Sequence, residues 1–589
     1  MTILAGVFSR DPHRALDPRI GNELHRLISR HPSDKRAVFK DENAYLVKVD
    51  IGAYGRLGFH IEDQGPVSML AGEPLFGRAD RHGQERDQDL KALHHGLGQG
   101  DLSLLATARG IFCAVHYHPK RRKLSLMVDK LGLRSLYYFV DERYVIFSTA
   151  LRILENLDAL PKQMDLRGVT ELSVFSYPLG DRTPYADILL MREAEVLQVD
   201  TTKVEKHQYW RWDSIALSKE PEQDLLRQAY ESFNAAVGSR LRQETATFAF
   251  LSGGLDSRCI TAALCERNTT VYTLNFAPPG TQDKALAAEF SARAGTVHEE
   301  FKPDLAQDDS LNWMRSTMKI WARSKQRLAC PVAHPDLVWG GHGGSLGLGH
   351  AFPDRAIEPM RSNRVDAAAE EVMRGDGFNV VSRLLASDIR PQVQDIPRRG
   401  LIEELQKLNC EDRGRAIYLF YMLNEQRRHV GDVFEDIDLK RFEYHLPFFD
   451  SEFLEIVMTV PLDWCLGHRF YNKWLGLFPE AVREVPWQAY PGHEPCPIAV
   501  PAGLTSQWQD QWAPQVIQMQ KRARLRRARE MLRAHNFPKP ILNRNVLHIA
   551  TWIYWLGLRD YAYVVDAAST YYKYWCTSGG NYTPLAPAR

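Results

Sequence analysis

Residues 246–260 read Ala-Thr-Phe-Ala-Phe-Leu-Ser-Gly-Gly-Leu-Asp-Ser-Arg-Cys-Ile. The apolar beginning predicts a buried strand, the hexapeptide from Ser252 a turn, and the end the first turn of a helix. The two glycines let backbone N–H groups approach a ligand, Ser252 and Ser257 can donate to phosphate, and the helix N-terminus adds partial positive charge. Asp256 would repel phosphate unless a cation lies between them, which indicates Mg²⁺. The stretch therefore predicts a site for a magnesium nucleotide.

The alternative interpretation of this stretch is a Gly-Gly turn that only joins a strand to a helix. The two commonest phosphate loops, G-x-x-x-x-G-K-[ST] and G-x-G-x-x-G, occur nowhere in the sequence. A phosphate site at Ser252–Ser257 must therefore be of a different type.

The composition is that of an ordinary globular protein of more than one domain. The chain has 589 residues, 44% apolar and 25% charged, with a formal charge of +1, which does not favour bulk nucleic-acid binding. Its eight cysteines include no C-x-x-C pair, so neither a zinc site nor a disulfide framework is indicated. No export signal or membrane span is evident. We expect a cytoplasmic protein with no nucleic-acid or membrane partner.

The pattern of the sequence changes near residues 212–221. Before them, short β-rich runs are separated by turn signals, and strands outnumber helices; the runs are Ala44–Ile51, Gly110–His118, Leu124–Val128, Leu136–Val140, Tyr144–Ser148 and Glu195–Val199. After them, an amphipathic helix leads into the nucleotide-loop strand, and strands and helices alternate. Beyond residue 355 the chain is mostly helical. We predict domains at 1–212 and 213–589.

Two segments near the C-terminus have their own predictions. Ile549–Leu558 is the longest apolar run there and predicts a buried core helix. Lys521–Arg533 carries seven basic residues on a predicted helix. A solvated face is the default interpretation, and a docking surface for an acidic peptide or a partner protein is the alternative.

Ser252–Ser257 resembles the pyrophosphate loop of the ATP pyrophosphatases that form acyl-adenylates, and specifically that of the asparagine synthetase family. The span Ala71–Leu154 resembles the glutaminase domain of that family, and Asp129–Tyr138 matches its D-x-x-G-x-x-x-L-Y-Y stretch. The resemblance implies an α+β plus α/β protein. An N-terminal Ntn-hydrolase-like β-rich sandwich would precede a parallel-sheet synthetase domain of the adenine-nucleotide α-hydrolase type, with a mostly helical C-terminal part.

The nucleophile of that glutaminase domain is missing. In the family a cysteine becomes residue 1 once Met is removed, and its own α-amino group serves as the base. Here position 2 is Thr and the first cysteine is Cys113, on a predicted interior strand. We therefore expect no glutaminase activity.

Val338–Gly347 falls where the family carries a second glycine-rich loop. Gly340 and Gly341 keep the backbone close to the nucleotide. Ser345 stands where the family has a second Mg²⁺-binding aspartate, and a hydroxyl is a weaker ligand for this cation. The resemblance thus implies ATP and Mg²⁺ as cofactors, with Asp256 as the metal ligand.

Three residues are candidates for catalysis. His342 takes the position of the family's glutamate or tyrosine, and Glu425 lies in the helical segment that supplies its partner, so the pair could deprotonate an amine. The alternative for His342 is a hydrogen-bonded spacer. Lys473, in His468–Leu475, corresponds to the family's K-x-x-L-R lysine, which steadies charge in the amide-forming steps; a surface lysine is the alternative.

The candidate nucleotide contacts are Leu251, Ser252, Gly253, Gly254, Leu255, Asp256, Ser257, Asn275, Gly340 and Gly341.

The resemblance is greatest to lasso-peptide cyclases and β-lactam synthetases, the branch without the N-terminal cysteine. It implies an ATP-dependent cyclase that adenylates an Asp or Glu side chain of a precursor peptide and joins it to the peptide's N-terminal amine. A leader peptidase and a leader-binding protein are the expected partners. Two alternatives remain: an amide-forming enzyme that uses ammonia or another amine on a small metabolite or sugar acid, and a non-catalytic nucleotide-binding protein.

Overall fold

The computed structural model describes residues 2–62, 65–76, 86–301, 328, 330–506 and 514–583. Its N-terminal part contains two six-stranded antiparallel sheets, with strand orders β11-β8-β9-β1-β3-β2 and β13-β12-β7-β6-β5-β4. The strands are β1 Thr2–Ser9, β2 Arg36–Lys40, β3 Ala44–Asp50, β4 Phe59–Ile61, β5 Val67–Gly72, β6 Phe112–His118, β7 Lys123–Val128, β8 Tyr137–Val140, β9 Tyr144–Ser148, β10 Met164–Asp165, β11 Leu189–Leu190, β12 Glu195–Val199 and β13 Val204–Gln208. Its helices are α1 Pro18–Leu27, α2 Arg86–Gln99, α3 Leu151–Glu155 and α4 Leu166–Phe175.

The two sheets pack face to face around an apolar core. Leu4 and Phe8 of β1 lie in one cluster with Val115 of β6 and Leu126 of β7, and none of the four is more than 1% exposed. This confirms the predicted β-rich sandwich. All six predicted strand runs are present. Among the strands that were not predicted is β1, in which each of the eight residues is buried, so no apolar/polar alternation marks it.

A five-stranded parallel sheet forms the centre of the second part, in the order β16-β15-β14-β17-β18. Its strands are β14 Ala246–Phe250, β15 Thr270–Asn275, β16 Val297–Glu300, β17 Leu337–Trp339 and β18 Glu443–His445. Helices α5 Glu222–Leu241, α6 Leu255–Cys265 and α7 Gln282–Ala294 connect and cover them. The predicted strand–turn–helix at residues 246–260 and the βαβ pattern after it are confirmed.

The rest of the described chain is mainly helical, as predicted. The helices are α8 Ile357–Arg361, α9 Val365–Gly375, α10 Arg390–Val393, α11 Ile396–Gln406, α12 Arg415–Phe420, α13 Arg427–Glu435, α14 Ile437–Lys440, α15 Ser451–Thr459, α16 Leu462–Cys465, α17 Arg469–Leu475, α18 Glu480–Glu484, α19 Pro514–Arg533, α20 Arg544–Leu556 and α21 Ala562–Thr577. Two π-helical turns lie at Gly344–Leu348 and Tyr421–Gln426, and a last strand, β19, at Tyr582–Thr583.

The prediction of a buried helix at Ile549–Leu558 was half wrong. Helix α20 forms, but Ile549, Trp552 and Trp555 are 53–59% exposed. Only the opposite face, including Leu547 and Ala550, is buried. Across the described ranges, every helix is too short or too polar to cross a bilayer.

The two parts are joined through buried contacts. Arg134, which follows the Asp129 turn, makes a bidentate ion pair with Glu443 of β18 at 2.8 and 3.0 Å, and both side chains are almost fully buried. The chain end also returns to the N-terminal part, because β19 pairs in parallel with β10.

Candidate active site

The Ser252–Ser257 loop lies at the carboxyl end of the central strand β14. Strands β15 and β16 are added on one side of β14, and β17 and β18 on the other. The loops that leave β14 and β17 therefore diverge at the point where the strand order reverses. Open parallel sheets bind ligands in the crevice at such a point. The fold thus places the loop after β14 opposite the loop that begins at Gly340.

Side chains of the first loop hold its backbone in place. Ser257 Oγ accepts from Ser252 N–H at 2.9 Å and lies 3.0 Å from Ser252 Oγ, which in turn accepts from Gly254 N–H at 3.2 Å. The Gly253 N–H donates instead to Asp283 Oδ1 at 2.7 Å. The two hydroxyls are together as predicted, whereas the Gly253 amide already has an acceptor.

Asn275 supports the loop from behind. Its Nδ2 donates to Leu251 O at 2.8 Å, its Oδ1 accepts from Ala277 N–H at 2.8 Å, and the residue is 2% exposed. Both ends of the Asn275 amide are thus engaged by backbone, and its contact with the nucleotide stays a prediction. Leu251 and Leu255 are also buried, so these positions can offer a ligand only backbone groups.

Asp256 connects the two loops. Its Oδ1 accepts from Tyr471 Oη at 2.6 Å and its Oδ2 from Ser345 N–H at 3.0 Å. Burial raises the pKa of Asp256 to about 6, although both hydrogen bonds favour the carboxylate. A Cβ on Gly344 would lie 2.4 Å from Asp256 Cγ. The second loop therefore approaches this carboxylate as only glycine permits.

Nucleotide-bound Mg²⁺ can be accommodated by these residues in one way. Among the described residues, no second carboxylate joins Asp256 in a metal-ligating group, and Ser345 meets Asp256 through its backbone N–H. Mg²⁺ commonly uses one or two carboxylates together with substrate phosphates and water. Asp256 fits that arrangement as a single protein ligand, whereas a cage made of protein ligands alone does not fit.

The predicted His342–Glu425 pair does not form. Both residues lie in described segments, and neither a hydrogen bond nor an ion pair joins them. The His342 ring lies edge-on to Tyr444, with 5.3 Å between centroids. Desolvation by the surrounding protein and the charge of Lys440 lower the pKa of His342 to about 4. The imidazole is therefore neutral at pH 7, and no carboxylate of the described residues is bonded to it.

Glu425 belongs instead to an acidic cluster on the helical side of the site. Its Oε1 lies 3.7 Å from His429 Nδ1, and burial followed by the charge of Asp376 raises the pKa of Glu425 to about 7. Tyr421 Oη donates to Asp376 Oδ2 at 2.5 Å. Burial and then the charges of Glu425, Asp376 and Asp256 raise the pKa of Tyr490. Tyr490 thus lies within electrostatic reach of both the cluster and the nucleotide loop.

Lys473 makes no hydrogen bond to either loop among the described residues. Its Nζ donates to both carboxylate oxygens of Glu222 at 2.8 and 2.7 Å, and its side chain is 55% exposed. Helix α17 turns Tyr471 and Trp474 inward and Lys473 outward, so a catalytic role for Lys473 stays a prediction. The helical spacing of the apolar residues in His468–Leu475 could have indicated this orientation.

Sequence reasoning missed Tyr471, which donates to Asp256, and also Tyr490 and Asp376, which interact electrostatically near it. Tyr471 stands two positions before the predicted lysine, and its apolar neighbours mark the inward face. Asp376 and Tyr490 are distant from every motif in sequence, so only the tertiary structure brings them near.

The glutaminase-like part lacks an available thiolate among its described residues. Cys113 is fully buried on β6, and burial raises its pKa to about 12. Thr2 is 1% exposed; its hydroxyl donates to Asp50 Oδ2 at 3.0 Å and accepts from Arg86 at 3.1 Å. The cysteine is protonated at neutral pH and the threonine hydroxyl is held by two charged groups.

Comparison with known families agrees with this two-part architecture. Residues 84–210 match the glutamine amidotransferase domain family, and residues 228–330 match the asparagine synthase family. The first range covers most of the sandwich, and the second includes Ser252–Ser257. The chain is thus similar to these two families, one after the other along the sequence.

Individual relatives are distant. Asparagine synthetase [glutamine-hydrolyzing] 3 of Bacillus subtilis is 26% identical over 31% of this chain and 30% of its own length. Amidase chry2 of Gibberella zeae is 24% identical over 40% of this chain and 37% of its own length. Amidase chyE of Penicillium rubens is 23% identical over 49% of this chain and 44% of its own length. The chain thus spans less than half the length of these curated relatives. Among solved structures, the chain is similar to a glutamine phosphoribosylpyrophosphate amidotransferase of B. subtilis. The match has 10% sequence identity and a TM-score of 0.22, and it covers 46% of this chain and 65% of that chain.

Proposed function

We propose that the protein is an ATP-dependent, AMP-forming carbon–nitrogen ligase. A substrate carboxylate attacks the α-phosphate of ATP, pyrophosphate leaves, and an amine displaces AMP to form an amide. The observation that carries this proposal is the position of Asp256 between the loops after β14 and β17, beside the Ser252 and Ser257 hydroxyls. Mg²⁺ bound with the nucleotide would neutralise phosphate charge, and Asp256 would hold it.

The nucleophile in this proposal is an amine on the substrate itself. A buried thiol at Cys113 and an engaged hydroxyl at Thr2 offer no route to ammonia from glutamine. The carboxylates of Glu425 and Asp376 suit an ammonium group, and a carboxyl with a pKa of about 7 can accept its proton near neutral pH. Glu425 is the proposed base in place of a His342–Glu425 pair.

The proposed substrate is a precursor peptide that is closed into a macrolactam, as in lasso-peptide maturation. Support comes from the buried Cys113 thiol, from the engaged Thr2 hydroxyl, and from Glu425 and Asp376, whose charges act on Tyr490 together with that of Asp256. A leader peptidase and a leader-binding protein would act with the enzyme. Ring closure needs both reacting groups in one molecule, which replaces a bimolecular encounter by an intramolecular step.

The test is turnover of candidate peptides with ATP and Mg²⁺ by the full chain. We expect AMP and pyrophosphate in equal amounts and a product lighter than the peptide by one water. Asp256→Asn should abolish formation of AMP and of the product. The control is Asp366→Asn, which should keep both, because the Asp366 carboxylate is 74% exposed and far from the loop in sequence. Absence of AMP with every peptide and amine would contradict the proposal.

A second candidate is an amidotransferase or β-lactam synthetase-like enzyme that acts on a small metabolite or sugar acid. The similarity to an asparagine synthetase and to two amidases favours it. Pyrophosphate release stimulated by ammonium or a small amine, and not by peptides, would distinguish it.

A non-catalytic nucleotide-binding protein is supported by Ser345 and by the outward Lys473. ATP binding without AMP release in any assay would favour that alternative.

A further inference from the structure

A row of polar residues crosses the face of the second six-stranded sheet beneath helix α2. In the antiparallel register, His60 of β4 lies opposite Ser68 of β5, and Ser68 lies opposite His116 of β6. The residues next along this face belong to an apolar cluster with α2 that includes Leu70, Leu93 and Phe112. Buried polar residues in an apolar layer require partners.

His94 of α2 lies above this row and links it together. The ring of His94 lies 4.5 Å from that of His60 and 5.4 Å from that of His116, centroid to centroid. Its Nδ1 lies 2.9 Å from Ser68 Oγ, which lies 2.8 Å from His116 Nδ1. Its Nε2 lies 3.0 Å from Glu62 Oε1. His94, Ser68 and His116 are each at most 4% exposed.

We propose that His60, Glu62 and His94 bind a divalent transition metal, with zinc as the expected ion. One ligand atom from each of the three residues lies within 4.8 Å of the other two. Two imidazoles and one carboxylate are a ligand set that zinc uses, and the remaining coordination position would be open to water because Glu62 is 56% exposed.

The surrounding hydrogen bonds match those of a metal-binding histidine. Such a residue usually donates its second ring N–H to a neighbouring acceptor, which fixes the tautomer. Ser68 can accept from His94 Nδ1–H and donate its own hydrogen to His116 Nδ1, which leaves the lone pair of His94 Nε2 directed at the ion. The His60 ring has no hydrogen bond within the described part of the chain, so a metal would supply its missing partner.

The proposed ion would connect an edge strand to a helix. Strand β4 has three residues, pairs only with β5 among the described strands, and forms the edge of its sheet. A metal that joins His60 and Glu62 to His94 would fix this strand to α2. The site lies in the sandwich, outside the proposed ligase site, and is independent of the proposed function.

The experiment is metal binding by the full chain after removal of metals with a chelator. We expect one equivalent of Zn²⁺ per chain by calorimetry, an unfolding temperature that rises with added Zn²⁺, and a visible absorption band with Co²⁺. His60→Gln and Glu62→Gln should weaken Zn²⁺ binding at least tenfold. Both side chains are at least partly exposed, so these variants test the site without removing the buried His94.

The matched control is His95→Gln, the exposed neighbour of His94 on α2, which should bind Zn²⁺ as the unaltered chain does. Two results would overturn the proposal: no saturable Zn²⁺ binding by the unaltered chain, or equal affinity in His60→Gln and Glu62→Gln. A loss of binding in His95→Gln as large as that in His60→Gln would place the ion elsewhere.

Discussion

Asp256 is the residue at which the loops after β14 and β17 meet. Gly344 makes this approach possible, since a Cβ there would lie 2.4 Å from the Asp256 carboxyl carbon. Gly347 lies in the same π-helical turn, where a Cβ would come no closer than 3.4 Å to the flexible end of Leu454. The two glycines therefore provide a matched comparison.

We predict that Gly344→Ala weakens Mg²⁺-ATP binding at least tenfold, because the new methyl group displaces Asp256 or the loop. Gly347→Ala should bind within about twofold of the unaltered chain, as its methyl group meets an ordinary contact. Calorimetric titration with a non-hydrolysable ATP analogue measures both. Equal affinity in the two variants would show that the loop contact does not matter for the nucleotide.

Glu425 contributes a pH dependence to stability. Its pKa is raised from 4.5 to about 7, so the folded state favours the protonated carboxyl, and stability falls as pH rises from about 4.5 through 7. The side chain is 29% exposed, which reduces the loss from the upper limit of about 3 kcal/mol to about 1–2 kcal/mol.

Glu425→Gln should therefore raise the unfolding temperature at pH 8 and leave it unchanged at pH 4, where the carboxyl is protonated in both states. Differential scanning calorimetry at the two pH values checks this. An equal change in unfolding temperature at pH 4 and pH 8 would mean that the shape of the side chain, rather than its charge, causes the difference in stability. If Glu425 is the base, the same variant should also lose most amide formation.

At the scale of the element, helix α17 decides which side chain reaches the nucleotide loop. Tyr471 faces inward and donates to Asp256, whereas Lys473 faces outward and pairs with Glu222 at the start of α5. An exposed ion pair of this kind contributes about 0–1 kcal/mol. A hydrogen bond to a charged group contributes about 1.5–3 kcal/mol.

Tyr471→Phe should raise the pKa of Asp256 by about one unit or more, because the carboxylate loses a donor. The acid limb of the pH profile for pyrophosphate release would move to higher pH, because protonation of Asp256 competes with Mg²⁺ binding. Lys473→Ala should leave that limb in place and keep activity within about twofold. A large loss of activity in Lys473→Ala would restore the lysine to the catalytic machinery.

For the whole molecule, the buried pair Arg134–Glu443 joins the sandwich to the last strand of the parallel sheet. Burial opposes ionisation, yet the Arg134 charge holds the pKa of Glu443 below its ordinary value. The stabilisation is therefore present above pH 4.5 and is lost as pH falls below it. Because each partner belongs to a different part, the pair couples the unfolding of the two.

Arg134→Met should cost about 3–5 kcal/mol at pH 7, since it leaves a buried carboxylate without its partner. The double variant Arg134→Met/Glu443→Leu should recover part of that loss. Denaturant unfolding followed by tryptophan fluorescence and by circular dichroism measures the free energy of unfolding. A loss below 1 kcal/mol in the single variant would show that the pair does not hold the parts together.

Local sequence was sufficient for the elements that carry their own signal. The strand, glycine turn and helix at residues 246–260 follow from apolar residues and two glycines, and the parallel sheet around them follows from the alternation of strands and helices. The similarity to the glutamine amidotransferase and asparagine synthase families was also predicted from sequence, because short motifs in a fixed order mark it.

The tertiary structure alone decided which side chains meet. Tyr471 rather than Lys473 reaches Asp256 because the register of one helix turn is set by packing against α5. Glu425 lies beside His429 and within electrostatic range of Asp376. His60, Glu62 and His94 converge from a strand, a loop and a helix. Such contacts depend on sheet register and helix rotation over long sequence separations, which no local pattern of residues encodes.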